Sequence, residues 1–170
     1  MKTLEEQTRS SPERRRYMLV AFLLATLIVG AGVYVFLSIP TTEEIERRSL
    51  EGAVREGSPE FEVLTRKISI STDEENTKEA TTALGTIVMF IAGKIRNMTG
   101  KNITGLEVKV AVVDQLNKPV KERVLTVVPT QKEVLKPEEV MPVRVMIDGF
   151  RKDDDRANVR WKVTAIKVQD

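Results

Sequence analysis

The sequence predicts an all-β domain, an antiparallel β-sandwich of six to seven strands, preceded by one N-terminal transmembrane α-helix. A run of 23 uncharged, mostly apolar residues near the N-terminus predicts the helix. After residue 61, apolar residues alternate with polar ones in several segments, as they do in half-buried strands. Turn-forming residues separate these segments at a spacing of about 8–12 residues, which is typical of a sandwich.

The composition leaves few catalytic options. The chain of 170 residues contains no cysteine and no histidine. The lack of cysteine excludes disulfides, thiolate nucleophiles, cysteine-ligated zinc and a lipid-anchor cysteine. The lack of histidine removes the commonest general base and the commonest transition-metal ligand. A carboxylate pair, a Ser–Lys pair and an oxygen-ligand cation site remain open, but the sequence carries no motif for them. We therefore expect no enzyme, no catalytic residues, no cofactor and no metal.

The charge distribution argues against a nucleic-acid partner. The net charge is +2, from 27 basic and 25 acidic residues. Residues 1–16 hold five basic and three acidic residues, residues 17–40 hold no charge, and the remainder is balanced. A nucleic-acid-binding domain concentrates its basic residues on one face. We therefore expect no nucleic-acid partner. A small-molecule ligand is not expected either, because the sequence contains no Gly-rich phosphate loop, nucleophile elbow or metal-spaced carboxylate cluster.

Residues 17–39 form the predicted transmembrane helix, with membrane lipid as its surroundings. About 20 residues cross a hydrocarbon core of about 30 Å. Tyr17 and Tyr34 lie toward the two ends, where aromatic rings favour the membrane interface. A cleavable signal peptide is the alternative, but its apolar region usually runs about 7–15 residues. The arginines at 14–16 predict that residues 1–16 are cytoplasmic and that the C-terminal domain is periplasmic or extracellular, because cytoplasmic flanks are enriched in positive charge.

Small residues in this helix are candidates for contact with another membrane protein. The pairs Ala21/Ala25 and Thr26/Gly30 have the spacing that allows a second helix to approach closely. The connection that follows, residues 40–60, is charged. Thr41-x-x-Glu44 resembles a capping box that opens a short helix through about Arg55. We expect this segment to be a linker.

Residues 61–170 form the predicted sandwich. A hairpin loop is expected at residues 97–102, a loop or a turn of helix at residues 73–80, and a bulge near Ala165. Trp161, with valines two residues away on both sides, is expected in the core. The predicted strands lie at residues 62–71, 84–96, 103–114, 120–128, 140–147 and 157–168.

Residues 93–149 carry a family resemblance. A glycine opens a strand that enters Asn97, a long strand ends in an aspartate turn at Asp114, and Leu135-Lys-Pro precedes an acidic turn and a further strand. This third of the chain resembles the bacterial FxLYD-type and related membrane-anchored immunoglobulin-like domains. The sequence departs from that pattern at the Leu-Tyr-Asp tripeptide, where Val112-Val113-Asp114 stands. The resemblance implies an immunoglobulin-like extracytoplasmic module and no catalytic residue.

Two loops hold the remaining candidate sites. The acidic run Asp153–Asp155 has the oxygen ligands that Ca²⁺ prefers, but Arg151 and Arg156 flank it and compete for the carboxylates. We therefore expect a solvated loop. Asn97 and Asn102 each begin an Asn-x-Thr glycosylation acceptor, which matters only in a eukaryotic secretory pathway.

The sequence leaves three functions to compare. The first is a non-catalytic accessory or assembly subunit of a larger membrane complex, which contacts partners through its helix and its extracytoplasmic sandwich. The second is a free-standing cell-envelope module that binds peptide or glycan, although the domain has few aromatic residues to stack on sugars. The third is an enzyme that uses carboxylates alone, for which the sequence offers no paired carboxylates. The first hypothesis accounts best for a lone apolar helix joined to a domain without a catalytic motif.

Overall fold

The computed structural model of the protein describes residues 12–38 and 41–169, which divide into two compact units between Thr41 and Thr42. The first unit contains one helix, α1 (Pro12–Ser38). Its apolar window, Tyr17–Tyr34, is long and apolar enough for a membrane span or a signal sequence, and none of the window is buried within the protein. The prediction of one N-terminal apolar helix is therefore confirmed.

The segment predicted to be a linker contributes to the second unit. Helix α2 (Thr42–Ser49) ends well before Arg55, so the prediction of a helix through Arg55 is wrong. Gly52, at a φ of 73°, takes a backbone conformation that a helix cannot contain. The chain then forms strand β1 (Val54–Arg55), in which Val54 pairs with Ile166.

A second short helix replaces the start of the first predicted strand. Helix α3 (Pro59–Thr65) begins where the Ser58 hydroxyl accepts a 3.2 Å hydrogen bond from the Phe61 amide, with proline in the first turn. Phe61 and Leu64 lie three residues apart and are both buried, so they share one face of the helix. The strand predicted at residues 62–71 is therefore shorter and starts later than its alternation indicated.

Seven further strands follow, and with β1 they form two antiparallel four-stranded sheets. Their bounds are β2 (Ile68–Thr72), β3 (Lys78–Thr81), β4 (Ile87–Asn97), β5 (Asn102–Val113), β6 (Pro119–Val128), β7 (Val140–Phe150) and β8 (Asn158–Gln169). Sheet A has the order β1-β8-β5-β6, and sheet B contains β2, β3, β4 and β7. The sandwich prediction is confirmed with eight strands, because β1 and β3 were not predicted.

Strand β4 organises sheet B. β7 pairs with one edge of β4 along Ile87–Arg96. β2 pairs with residues 93–97 of β4 and β3 with residues 87–90, so both must lie end to end along its other edge. A short 3₁₀ turn, Glu74–Asn76, separates these two strands. The region predicted to be a loop therefore contains this turn and strand β3.

The core lies between the two sheets, as the alternation predicted. Its fully buried side chains include Val108, Val110 and Val112 from sheet A, which face Ile91 and Ile95 from sheet B. Burial of such side chains is the dominant favourable term in folding. The bulge predicted near Ala165 is confirmed by a register shift opposite Glu107 and Val108 of β5.

Trp161 lies at the margin of this core and is partly buried. A Cβ at Gly93 would lie 2.8 Å from the indole ring, so glycine is needed there for the ring to pack against β4. The indole Nε1 donates a 3.0 Å hydrogen bond to the Thr72 hydroxyl. Trp161 on sheet A therefore joins the two sheets along one side.

The connection at residues 97–102 is a corner between sheets. A hairpin was expected here, but β4 belongs to sheet B and β5 to sheet A, so the hairpin prediction is wrong. Gly100 has a φ of 78°, as a tight turn requires. The Asn97 side chain is fully buried, and therefore the folded chain does not present it as a glycosylation acceptor.

Candidate interaction surface

The predicted helix-contact residues all lie on exposed parts of α1. Ala21 and Ala25 are four residues apart, and nothing approaches within 4 Å of the position of a Cβ on Gly30. The Thr26 hydroxyl donates a 2.8 Å hydrogen bond to the Phe22 carbonyl of its own helix. The role of these four residues in helix contact stays a prediction.

The acidic loop at residues 153–155 directs its carboxylates to donors of its own chain. Asp154 accepts a 2.8 Å hydrogen bond from the Arg151 amide, which is the main reason that its pKa is lowered. Asp155 accepts a 3.0 Å bond from the Gln115 amide. Within residues 12–38 and 41–169, no cluster of three or more acidic side chains is placed to hold a metal ion.

In the described part of the chain, every carboxyl group with a shifted pKa has a lowered one. A hydrogen bond from the Lys162 ammonium lowers the pKa of Glu56. Asp73 also has a lowered pKa, first because the Asn76 amide donates to it and then because of Lys94. Such shifts keep these groups ionised at neutral pH, whereas a general acid needs a raised pKa. The shifted carboxyl groups are Glu56, Asp73, Glu139 and Asp154.

Acidification is therefore expected to destabilise the sandwich. A carboxyl whose pKa is lower in the folded state stabilises folding above its unfolded pKa, near 4.5 for glutamate and 3.8 for aspartate. That stabilisation is lost as the pH falls through the folded pKa. We expect the thermal midpoint of the full chain in detergent, followed by Trp161 fluorescence, to fall as the pH drops from about 5 toward about 2.

Two double variants distinguish the contribution of these carboxyl groups from the effect of low pH on the protein as a whole. Glu56→Gln/Glu139→Gln should flatten the upper part of the pH profile, because two of the ionising groups are gone. Glu60→Gln/Glu75→Gln, at exposed glutamates that form no ion pair with the described residues, is the control and should leave the profile unchanged. A thermal midpoint that rises on acidification would contradict the prediction.

The outer face of sheet A has the character of an ordinary solvated surface. Two of its cations are paired with acids: Lys109 Nζ lies 3.3 Å from Glu122, and Lys162 Nζ lies 2.7 Å from Glu56. A third, Arg160, donates a hydrogen bond to the Asn117 side chain. Val124 is its single large apolar side chain that is exposed among the described residues, at 50 %. Isolated apolar residues of this kind are normal on a soluble domain.

The outer face of sheet B is different, because it exposes large apolar side chains beside each other. Phe90 on β4 and Met146 on β7 lie directly opposite in register and are 46 % and 45 % exposed. Their side chains border an open groove of about 400 Å³. We call this surface the Phe90 face. The described residues that line its groove are Asn76, Lys78, Phe90, Ile91, Ala92, Arg144, Val145 and Met146.

Two cations of the Phe90 face have no ion-pair partner in the described part of the chain. These are Lys78 on β3 and the guanidinium of Arg144 on β7. Further along the same face, Lys94 is paired with Asp73 at 3.1 Å, and Arg96 is paired with Glu138. The groove therefore combines an apolar centre with uncompensated positive charge.

No protein-family model, curated protein or solved structure matches this chain. The resemblance of residues 93–149 to FxLYD-type domains therefore stays a prediction.

The edges of sheet B limit how a partner strand can add to the domain. The Gln131 side chain forms two hydrogen bonds with the backbone of Arg144 on β7, at 2.8 and 2.9 Å. Arg123 donates a 2.6 Å bond to the Met146 carbonyl. Side chains thus occupy backbone groups along the outer edge of β7, a device that protects edge strands. β3 pairs only with β4 among the described strands, so its other edge is not covered by a strand.

The Phe90 face was not predicted from the sequence, although part of its signal is present there. The phase that places Ile91 inside the sandwich also places Phe90 outside, and the phase of β7 does the same for Met146. A single exposed apolar side chain in the outward phase of a strand is unremarkable alone. The register between β4 and β7, which the sequence does not reveal, brings Phe90 and Met146 together.

Proposed function

We propose that this chain is a non-catalytic, single-pass membrane protein that acts as an accessory or assembly subunit of a larger membrane complex. Its N-terminus is cytoplasmic, and its immunoglobulin-like sandwich binds a partner protein on the other side of the membrane. The observation that carries the proposal is the Phe90 face. Phe90 and Met146 lie side by side in solvent, and contiguous exposed apolar groups of this kind mark interaction sites.

The membrane anchor is supported by the length and composition of α1. The window Tyr17–Tyr34 has a mean hydropathy of 2.1 and is fully unburied. Three arginines, at 14–16, directly precede it, whereas the first basic residues after it, at 47 and 48, are fewer and more distant, which favours a cytoplasmic N-terminus.

A binding role is favoured over catalysis by the electrostatics of the domain. The shifted carboxyl groups have lowered pKa values, so they are stabilised as carboxylates. A carboxylate enzyme needs at least one acid whose pKa is raised toward neutrality. A protein partner is favoured over a glycan because Phe61 and Phe150 are buried, which leaves few aromatic rings for stacking on sugars.

Site-specific photo-cross-linking of the full chain in its native membrane tests the proposal. A photoreactive phenylalanine analogue at Phe90 is expected to give a discrete cross-linked product, because this face contacts the partner. The same analogue at Val124, equally exposed on the outer face of sheet A, is the matched control and should give none. If Phe90 and Val124 give the same products, or if neither gives any, the proposed function is wrong.

A further inference from the structure

We infer that the segment of the partner that occupies the groove of the Phe90 face is acidic and presents an aliphatic side chain between its carboxylates. This inference rests on the proposed function and adds the chemistry of the partner. It depends on the placement of the unpaired cations around the apolar centre.

One cross-strand row defines the groove. Lys78 on β3 lies opposite Phe90 on β4, and Phe90 lies opposite Met146 on β7. Side chains directly opposite each other on one face of a sheet have Cβ atoms about 4.5–5.5 Å apart. The neighbouring row pairs Ala92 with Arg144. An apolar centre about two side chains wide therefore has a cation on the β3 side and a second cation on the β7 side.

A small side chain creates the depression between these groups. Ala92 stands next to Phe90 on the same face of β4 and is buried, with a methyl group where a longer side chain would fill the space. The groove therefore accepts a protruding side chain. An aliphatic group would cover Phe90 and Met146, while carboxylates on either side of it would meet Lys78 and Arg144.

The same charges disfavour a second copy of this chain as the occupant. In a symmetric dimer a surface meets the same surface of its partner. Lys78 and Arg144 line the groove, so the groove of one copy would meet the same cations in the groove of the other. Asp73 and Glu138 of this face are already paired, and Asp148, which follows Met146 in the outward phase of β7, lies outside the groove lining. The groove itself therefore favours a different chain as the source of complementary charge.

Defined probes test this inference on the full chain in phosphatidylcholine nanodiscs. The probes are a peptide of about ten residues that alternates aspartate and leucine, the same peptide with lysine for aspartate, and phosphatidylglycerol vesicles. We expect the aspartate peptide to bind about tenfold or more tightly than the lysine peptide at low salt. The preference should decrease as salt is added, because the cations are exposed.

Charge reversal supplies the second arm of the experiment. Lys78→Glu/Arg144→Glu should reverse the order of the two peptides, because it changes the sign of the groove and keeps Phe90 and Met146. Lys109→Glu/Lys162→Glu on sheet A is the matched control and should leave the order unchanged. Equal binding of the two peptides, absence of binding by both, or an order that charge reversal does not change would overturn the inference. Binding of the vesicles without binding of the aspartate peptide would also overturn it, in favour of a lipid surface.

The inference and the proposed function fail in different ways. A cross-link at Phe90 that persists in the Lys78→Glu/Arg144→Glu chain would leave the proposed function in place and exclude an acidic partner. Absence of the Phe90-specific cross-link in a chain that keeps Lys78 and Arg144 would instead rule out the proposed function.

Discussion

Phe150→Ala is expected to lower the free energy of unfolding of the sandwich by about 4 kcal/mol, the middle of the range for truncation of a buried phenylalanine. Phe150 is fully buried at the end of β7 and lies opposite Ile87 on β4. Cations approach its ring, with Lys121 Nζ 5.8 Å and the Arg156 guanidinium carbon 5.9 Å from the centroid. The substitution therefore removes core packing and cation–π contacts together.

Urea unfolding of the full chain in detergent measures this loss, with Trp161 as the single tryptophan reporter. Phe90→Ala is the matched control, since it removes the same side chain from the solvent face of sheet B. That variant should change the free energy of unfolding by less than about 1 kcal/mol, the scale of one cross-strand pair. Equal losses in the two variants would show that Phe90 belongs to the core, which would also remove the basis of the Phe90 face.

Asn97→Ala is expected to cost about 3 kcal/mol, because it leaves buried polar groups without hydrogen bonds. The Asn97 amide nitrogen donates to the carbonyls of Lys101 and Leu135, at 2.8 and 2.9 Å. Its carbonyl oxygen accepts from the amide and the hydroxyl of Thr99, at 2.9 and 2.6 Å. One side chain thus holds the corner between the sheets and the Leu135 segment together.

Asn102→Ala is the comparison for this second experiment. Asn102 opens β5 in the same corner, but its side chain forms no hydrogen bond with the described residues. Its truncation should alter the free energy of unfolding by less than about 0.5 kcal/mol, as is usual for surface positions. If Asn97→Ala is as mild as Asn102→Ala, the Asn97 bonds do not stabilise the corner.

Alternation in the sequence was sufficient to predict the long strands. In β5 and β7, every second residue from Leu106 to Val112 and from Met141 to Ile147 is buried. This works because the side-chain period of a strand is two and one face of each sheet is covered. The apolar helix was equally readable from residues 17–39, since a long uncharged run has few alternatives.

Short elements and sheet assignment were not readable in the same way. Strand β1 has two residues and β3 has four exposed ones, so neither carries a periodic pattern, and both depend on pairing with distant strands. The turn at residues 97–102 looks like a hairpin because local residues specify the bend and not the sheet that the next strand joins. For α3, the Ser58-Pro59 start signal was present and was outweighed by alternation.

The candidate surface was predictable in part. The outward direction of Phe90 follows from the phase of β4. Its proximity to Met146 depends on register, and the lack of partners for Lys78 and Arg144 depends on where the acids of other strands lie. Such properties arise from tertiary structure, and no local pattern encodes them.

The position of β8 in sheet A has a consequence for the biosynthesis of the domain. β8 is the last strand of the domain in sequence, yet it lies between β1 and β5 in sheet A. β1 therefore has no neighbour in the sheet until β8 has been synthesised. Pairing between Val54 and Ile166 also spans nearly the whole domain, and such distant contacts form late. Sheet A therefore cannot be completed until the segment that forms β8 has been synthesised.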